Sequence, residues 1–276
     1  MRVYVVDAFT DRPFAGNPAG VCPLTDPADA GWMQRVAAEL NLSETAFPRP
    51  LEAAWGAAGR SHGGEVRPDF ELRWFTPAVE VALCGHATLG AAHVLYETGA
   101  VPGDRPIRFQ TLRSGVLTVR REDDLLAMDF PAVPPTKADP PAGLAEALGA
   151  EPLWTGRNGQ NDVLAVLPDA TTVRALRPDQ HALGRIDARG ICVTAPGEDH
   201  DFVSRFFAPR VGVPEDPVTG SAHCMLAPYW AERLGRAELV AYQASARGGE
   251  VRLSVRDDRV ILRGGATTVI EGTLHA

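Results

Sequence analysis

Hydrophobic and polar positions along the chain change period repeatedly, and each change marks an element. Arg2 to Phe9 alternates weakly and is rich in valine and aromatic residues, the pattern of an opening strand. The turn-rich stretch from Thr10 to Pro18 leads to a second strand expected over Gly20 to Leu24. Asp26-Pro27 predicts a helix cap with proline at the first helical position. Trp32, Met33, Val36, Ala37 and Leu40 then share one face at helical spacing, with Arg35 and Glu39 off it. The helix is expected to end near Asn41, and Asn41 to Phe47 to pass into a short strand with Glu44 at the boundary. Residues 50 to 68, rich in Gly, Ala and Arg, read as a loop or ragged hairpin.

Asp69 to Phe75 predicts a strand that Thr76-Pro77 ends, and Ala87 to Glu97 a helix stopped by Gly99 and Pro102. Strands are expected at Ile107 to Gln110, Val116 to Arg121 and Leu125 to Phe130. Five prolines between Pro131 and Pro141 make that segment the best linker in the chain. Beyond it the order of elements resembles the first half: a short helix from about Ala142 to Leu148, then strands at Asp162 to Leu167, Gly190 to Thr194 and Phe202 to Phe207. A helix is predicted over roughly Ser221 to Leu234, with four closing strands near Glu238, Val251, Val260 and Thr268.

The likeness of the halves extends to residues. At a constant offset of 132, Asp69/Asp201, Phe70/Phe202, Arg73/Arg205, Phe75/Phe207, Pro77/Pro209, Val79/Val211 and Val81/Val213 are identical pairs. Such density argues for an internal repeat, against the alternative that two strand-then-proline edges converged on similar composition. The same offset sets Cys84 opposite Asp216, and a two-residue slip then aligns Gly90-Ala91-Ala92-His93 with Gly220-Ser221-Ala222-His223. Each half thus offers a strand, a proline turn, a proton-capable side chain and a small-residue helix start. If the halves pack face to face, two helix N-termini converge on one cleft suited to a substrate carboxylate.

Composition narrows the classes. At 276 residues the chain suggests about two domains, with 45% hydrophobic and 22% charged residues as in ordinary globular proteins. A net charge of −8 without a basic cluster argues against a nucleic-acid partner. No run approaches the roughly 18 apolar residues that cross a bilayer, so no membrane association is expected. No signal peptide is evident at the N-terminus. The four cysteines, Cys22, Cys84, Cys192 and Cys224, form no Cys-x-x-Cys pair and read as reduced thiols of a cytoplasmic protein.

The densest chemistry lies in Leu83 to His93, where Cys84, His86 and Thr88 surround Gly85 at a strand-to-helix junction. The first N–H groups of a helix lack intrahelical partners and form an anion cradle. Cys84 with His86 could be a nucleophile and its base, but residues two apart rarely aim side chains at each other and no third orienting group is evident. His86, His93, Cys84 and Cys224 lack a recognised metal-ligand spacing, and His93 and His223 suit a core role, so no metal is expected. Glu44 reads either as a surface carboxylate or partner of Ser43, or as an acid/base whose wall Leu42 and Phe47 supply. Asp216 reads as a helix cap or a substrate contact, and Ser221 as a donor to a carboxylate or a small packing residue.

Asp7-Ala8-Phe9 with Gly16-Asn17-Pro18, Leu42 to Phe47, Cys84 to Thr88, and Glu215 to Ala222 together resemble the PhzF-like isomerases of the diaminopimelate epimerase superfamily. The resemblance covers essentially the whole chain. It implies an α+β fold of two pseudo-symmetric domains, each a curled, mostly antiparallel sheet around a central helix, with the active site between them. The expected domains are residues 1–120, completed by a last strand at about 265–276, and residues 121–264. The resemblance further implies a homodimer without cofactor. It implies that Glu44 moves a carbon-bound proton of a small carboxylate, and that His86, Asp216 and Ser221 hold or polarise that substrate. It also implies that Asn17, Cys84, Gly85 and Gly220 line the cleft, and that Asp216 replaces the second of two opposed cysteines found elsewhere in the superfamily. A non-catalytic carboxylate-binding protein on the same fold is the alternative.

Overall fold

The computed structural model describes residues 1–51 and 67–275; most of the stretch expected to be a loop or ragged hairpin, residues 52–66, lies outside them. The described residues divide into two compact units, 1–129 with 263–276, and 130–262. No helix among them is long and apolar enough to cross a membrane.

In the first unit, β1 (Arg2–Ala8) pairs antiparallel with β2 (Asn17–Val21) and with the last strand of the chain, Ala266–Thr273. β2 begins three residues earlier than the sequence predicts. Gly16 supplies the reason: it turns the chain at φ 63°, and a Cβ there would fall 2.1 Å from the Ala8 carbonyl oxygen, so only glycine lets Asn17 pair back onto Ala8. The helix α1 (Ala30–Leu40) is capped by Asp29, whose carboxylate accepts from the Trp32 N–H. Asp26, the expected cap, instead accepts from the Thr25 hydroxyl. Asn41, at φ 48°, ends the helix as its pattern implies.

Parallel β3 (Glu44–Pro50) returns beside β2 and pairs antiparallel with β4 (Phe70–Phe75). Short β5 (Glu80–Val81) folds back on β4 and feeds α2 (Gly85–Glu97). β6 (Ile107–Gln110), β7 (Val116–Glu122) and β8 (Leu125–Pro131) follow, β6 parallel to β4 and the next two antiparallel. Ten of the thirteen α2 residues are buried. A Cβ on Gly90 would sit 3.6 Å from Val6, Ala19 and Val21 side chains, so α2 lies directly on β1 and β2. This is the central helix of the unit, apolar all round because the sheet curls about it.

The second unit repeats this plan. β9 (Thr136–Lys137) pairs with β10 (Trp154–Arg157) after α3 (Leu144–Leu148), and β11 (Asp162–Val166) crosses through α4 (Ala170–Ala175) and α5 (Gln180–Arg185) to parallel β12 (Gly190–Pro196). β13 (Phe202–Ala208) and β14 (Val213–Asp216) lead into α6 (Gly220–Leu234). β15 (Glu238–Gln243), parallel to β13, precedes β16 (Gly249–Arg256) and β17 (Arg259–Gly264); the last strand, β18 (Ala266–Thr273), belongs to the first unit. Successive β12 residues face opposite ways. Ile191 and Val193 join Val163, Val203 and Phe207 in the core under α3 to α5, while Thr194 accepts from the Trp230 indole N–H of α6 at 3.0 Å.

Pro228 sits inside α6 and has no N–H to give the Cys224 carbonyl one turn back. The Val133 N–H, at 3.0 Å, fills that vacancy. The proline-rich segment read as a linker is therefore fastened to its own unit, through Val133 and through β9.

The repeat is real in register as well as residues. Phe70 pairs with Phe109 in the first unit, and Phe202 with Ala241 in the second, both 132 residues on. Asp69 and Asp201 each bind the backbone of the strand after the helix and an arginine, Arg105 and Arg236 respectively. Arg73 grips Glu80 by two hydrogen bonds of 2.7 and 2.8 Å, and Arg205 grips Glu215 by two of 2.7 and 2.9 Å.

This register corrects the alignment beyond the strand. Trp74 faces Val81, whereas Phe206 faces Asp216, so Asp216 is the counterpart of Val81 and not of Cys84. The helices begin at Gly85 and Gly220, which sets Cys84-Gly85-His86-Ala87 against Thr219-Gly220-Ser221-Ala222. The three extra residues of the second unit fall in the turn at Pro209–Val211. Within the repeat, Thr219 occupies the position of Cys84.

Candidate active site

Three element starts meet in the first unit. Glu44 opens β3, Asn17 opens β2, and His86 is the second residue of α2, behind the N-cap Cys84. Asp7 of β1 steadies the approach by accepting from the Phe14 N–H at 2.7 Å, in the turn that delivers Gly16 and Asn17. Glu44 Oε2 lies 3.2 Å from His86 Nε2, and Asn17 Nδ2 lies 3.2 Å from the other ring nitrogen, Nδ1. Asn17 is fully buried, His86 nearly so, and the Glu44 side chain keeps 18% of its surface exposed.

Cys84 Sγ lies 3.5 Å from His86 Nδ1, so these two side chains do converge, against the expectation for residues two apart. The cap conformation is the reason. Cys84 is extended (φ −144°, ψ 112°) and the chain turns into helix only at Gly85, folding the residue-86 side chain back toward it. The Cys84 side chain makes no capping hydrogen bond to α2, and the Cys84 carbonyl is engaged by the Thr88 hydroxyl at 2.6 Å. The expected Phe47 wall is displaced: three residues beyond Glu44, Phe47 points to the opposite face of β3 and packs with Met33, Val36 and Phe75.

Burial lowers the His86 pKa to about 3, so the imidazole is neutral at physiological pH even with a carboxylate beside it. Glu44, Cys84 and His86 present donor atoms within 4.8 Å of one another, a spacing their mutual hydrogen bonding accounts for and one a soft cation could also use. His93 takes no part there; it meets Thr268 at 3.1 Å and Glu97 at 3.4 Å.

In the second unit, the start of α6 is organised by Gln243, a fully buried residue of β15. Its Oε1 accepts from the Thr219 N–H at 2.8 Å, and its Nε2 donates to the Asp216 carbonyl at 2.7 Å. The Thr219 hydroxyl donates to Asp216 Oδ2 at 2.6 Å. Asp216 therefore orders the residue before the helix and is not itself the cap, which is Thr219. Gly220 is buried, and the half-buried Ser221 hydroxyl accepts from Arg189 Nη2 at 3.2 Å. The same nitrogen holds the fully buried Asp162 carboxylate at 2.5 Å. His223 donates from Nδ1 to the Thr219 carbonyl at 2.8 Å, and burial lowers its pKa to about 4.

Gln243 and Arg189 escaped the sequence reading. Gln243 continues the buried alternation of Leu239 and Ala241 on β15, and an amide on an apolar strand face is a readable signal. Arg189 carries no such mark.

A profile of phenazine biosynthesis-like proteins matches residues 6–272. The chain belongs to this PhzF-like family. An uncharacterized isomerase of Pseudomonas aeruginosa is 50% identical over 279 residues, covering 100% of this chain and 99% of its own. Another from Halalkalibacterium halodurans is 46% identical over 275 residues, covering 99% of this chain and 97% of its own. The crystal structure of a PhzF-family phenazine biosynthesis protein from Enterococcus faecalis superposes with a TM-score of 0.89 at 39% identity, covering 100% of this chain and 99% of that one. The fold is accordingly the α+β, two-domain epimerase-like fold of these PhzF-like isomerases.

Proposed function

We propose that the chain is an isomerase that moves a carbon-bound proton of a small carboxylate, amino or hydroxy acid, with Glu44 as the acid/base and no cofactor. The observation that carries this reading is the Glu44 carboxylate, partly exposed, held 3.2 Å from a neutral, buried imidazole at a helix start. A partly exposed carboxylate is reachable by substrate, and its neighbour donates without adding a competing charge. The N–H groups of the first turn of α2, which have no intrahelical partners, suit negative charge developing on the substrate as its proton leaves. Cys84, beside His86, lines the same helix start. For the second unit, the proposal assigns substrate holding to Asp216, Gly220 and Ser221, with Asn17 among the supporting residues of the first. The reading includes a cytoplasmic homodimer; the four cysteines, all buried and none in a disulfide, suit a reducing compartment, and light scattering at micromolar concentration checks the dimer.

The test is solvent deuterium uptake. Wild-type protein incubated in D2O with a panel of amino- and hydroxy-carboxylates is expected to label the carbon α to the carboxylate, or a ring carbon, of at least one member. Glu44→Gln is expected to abolish that uptake. Unchanged uptake in the variant sinks the assignment of Glu44, and tight binding with no uptake by wild type across the panel favours a carboxylate-binding protein.

A further inference from the structure

The imidazole of His86 has two nitrogens and one proton at neutral pH, and which nitrogen carries it decides what His86 can do for Glu44. The environment of both nitrogens is on view. Nε2 faces Glu44 Oε2 at 3.2 Å, Nδ1 faces Asn17 Nδ2 at 3.2 Å, and Cys84 Sγ stands 3.5 Å from Nδ1. From β2 comes an amide, from β3 a carboxylate, and from the cap of α2 a thiol.

An ionised carboxylate only accepts, so a bare Nε2 lone pair turned toward it is repulsive. Nδ1 faces donors: the amide N–H of Asn17, and the weaker S–H of Cys84. With Glu44 ionised and the Asn17 amide nitrogen toward the ring, one arrangement satisfies both ring nitrogens. The proton sits on Nε2 and is donated to Glu44, while the Nδ1 lone pair receives the Asn17 amide. A cation, the other way to donate to Glu44, would set an Nδ1–H donor against the Asn17 amide N–H, and burial holds His86 neutral. We propose that Asn17 is a positioning residue that locks His86 in the Nε2–H tautomer, so that His86 is a fixed hydrogen-bond donor to Glu44. Asn17 owes its place to the Gly16 turn, where any side chain would strike the Ala8 carbonyl. That couples the Gly16-Asn17 pair to an acid/base residue that neither touches in sequence.

The consequence rests on the function proposed above. A neutral Nε2–H donor stabilises the Glu44 carboxylate without giving up its proton. Nε2 is then no base, and the carbon-bound proton passes to and from Glu44 alone. Asn17 acts through His86, with no need to touch substrate.

Histidine labelled with 15N, read by NMR at neutral pH without substrate, tests the lock. The His86 ring signals are assigned by their disappearance in His86→Gln. In wild type, Nε2 is expected in the range of a protonated ring nitrogen and Nδ1 in that of an unprotonated one. Asn17→Asp replaces the donor by an acceptor of the same shape and is expected to shift Nδ1 into the protonated range. A wild-type His86 protonated at Nδ1 overturns the proposal, and needs no variant to fold. So does Asn17→Asp that unfolds at the wild-type denaturant midpoint yet leaves both resonances in place. Because the ring is read without turnover, loss of the Glu44 assignment in the deuterium experiment leaves this result standing, and the reverse.

Discussion

The starts of α2 and α6 stand on the same scaffold and carry different chemistry. In each unit an aspartate before the strand, a two-pronged arginine–glutamate clamp on the hairpin, and a parallel strand after the helix fix where the helix begins. Arg73 even lies over Phe75 as Arg205 lies over Phe207, at 5.2 and 4.9 Å. At the helix start the likeness stops. The first unit puts Cys84 and His86 there and brings Glu44 to them from β3. The second puts Thr219 and Ser221 there and fills the neighbourhood with structural hydrogen bonds from Asp216, Gln243 and Arg189. A repeated frame thus holds a titratable pair in one half and an amide and hydroxyl network in the other; the proposed function assigns proton transfer to the first and substrate holding to the second.

The largest effect should come from breaking the titratable side. Glu44→Gln is expected to lower deuterium uptake by at least about 100-fold, the lower end of what a positioned acid/base contributes. Asp216→Asn, which keeps a partner for the Thr219 hydroxyl, is expected to leave a measurable fraction of that uptake.

The clamps sharpen the comparison through stability. Arg205 exposes 9% of its side chain and also donates to the Val173 and Leu176 carbonyls, whereas Arg73 exposes 18%. Removing one partner of a buried pair strands the other, so Arg205→Met is expected to cost about 3 kcal/mol in urea unfolding. Arg73→Met should cost less. Equal costs would mean that the extra carbonyl contacts contribute nothing.

Much of this frame was legible in the sequence, because paired residues such as Asp69/Asp201 and Arg73/Arg205 serve paired tasks. Strand and helix periods located α2, α6 and most strands to within a few residues. The alignment failed where three residues were inserted: identity at Val81/Val213 pulled Asp216 onto Cys84, and only hydrogen-bond register shows that Asp216 faces Phe206. The meeting of Cys84 with His86 was also hidden. Spacing rules assume regular helix, and Cys84 is an extended cap. Glu44 and Asn17 were recognisable by motif, yet their convergence on one imidazole depends on the β2–β3 pairing, which no local pattern encodes.

Sensitivity to acid offers a smaller contrast. His86 and His223, with pKa values near 3 and 4, stay neutral while their unfolded counterparts take up protons below about pH 6.5. The unfolded state then binds more protons, so stability is full above that pH and falls as pH drops toward the folded values, by about 1.4 kcal/mol per pH unit per histidine. His223, whose ring donates to the Thr219 backbone carbonyl, should show this slope cleanly: His223→Gln is expected to flatten urea midpoints between pH 6 and about pH 4. The smallest effect is Thr219→Val, which removes the hydroxyl donated to Asp216 and is expected to cost about 1 kcal/mol in the same assay.

The division of labour is tested most directly by measuring deuterium uptake side by side in Glu44→Gln and Asp216→Asn, on the substrate that wild type labels and at saturating concentration. Uptake lost in the first and retained in part by the second is the predicted result. Uptake retained in Glu44→Gln and lost in Asp216→Asn would place the proton transfer in the other half of the repeat.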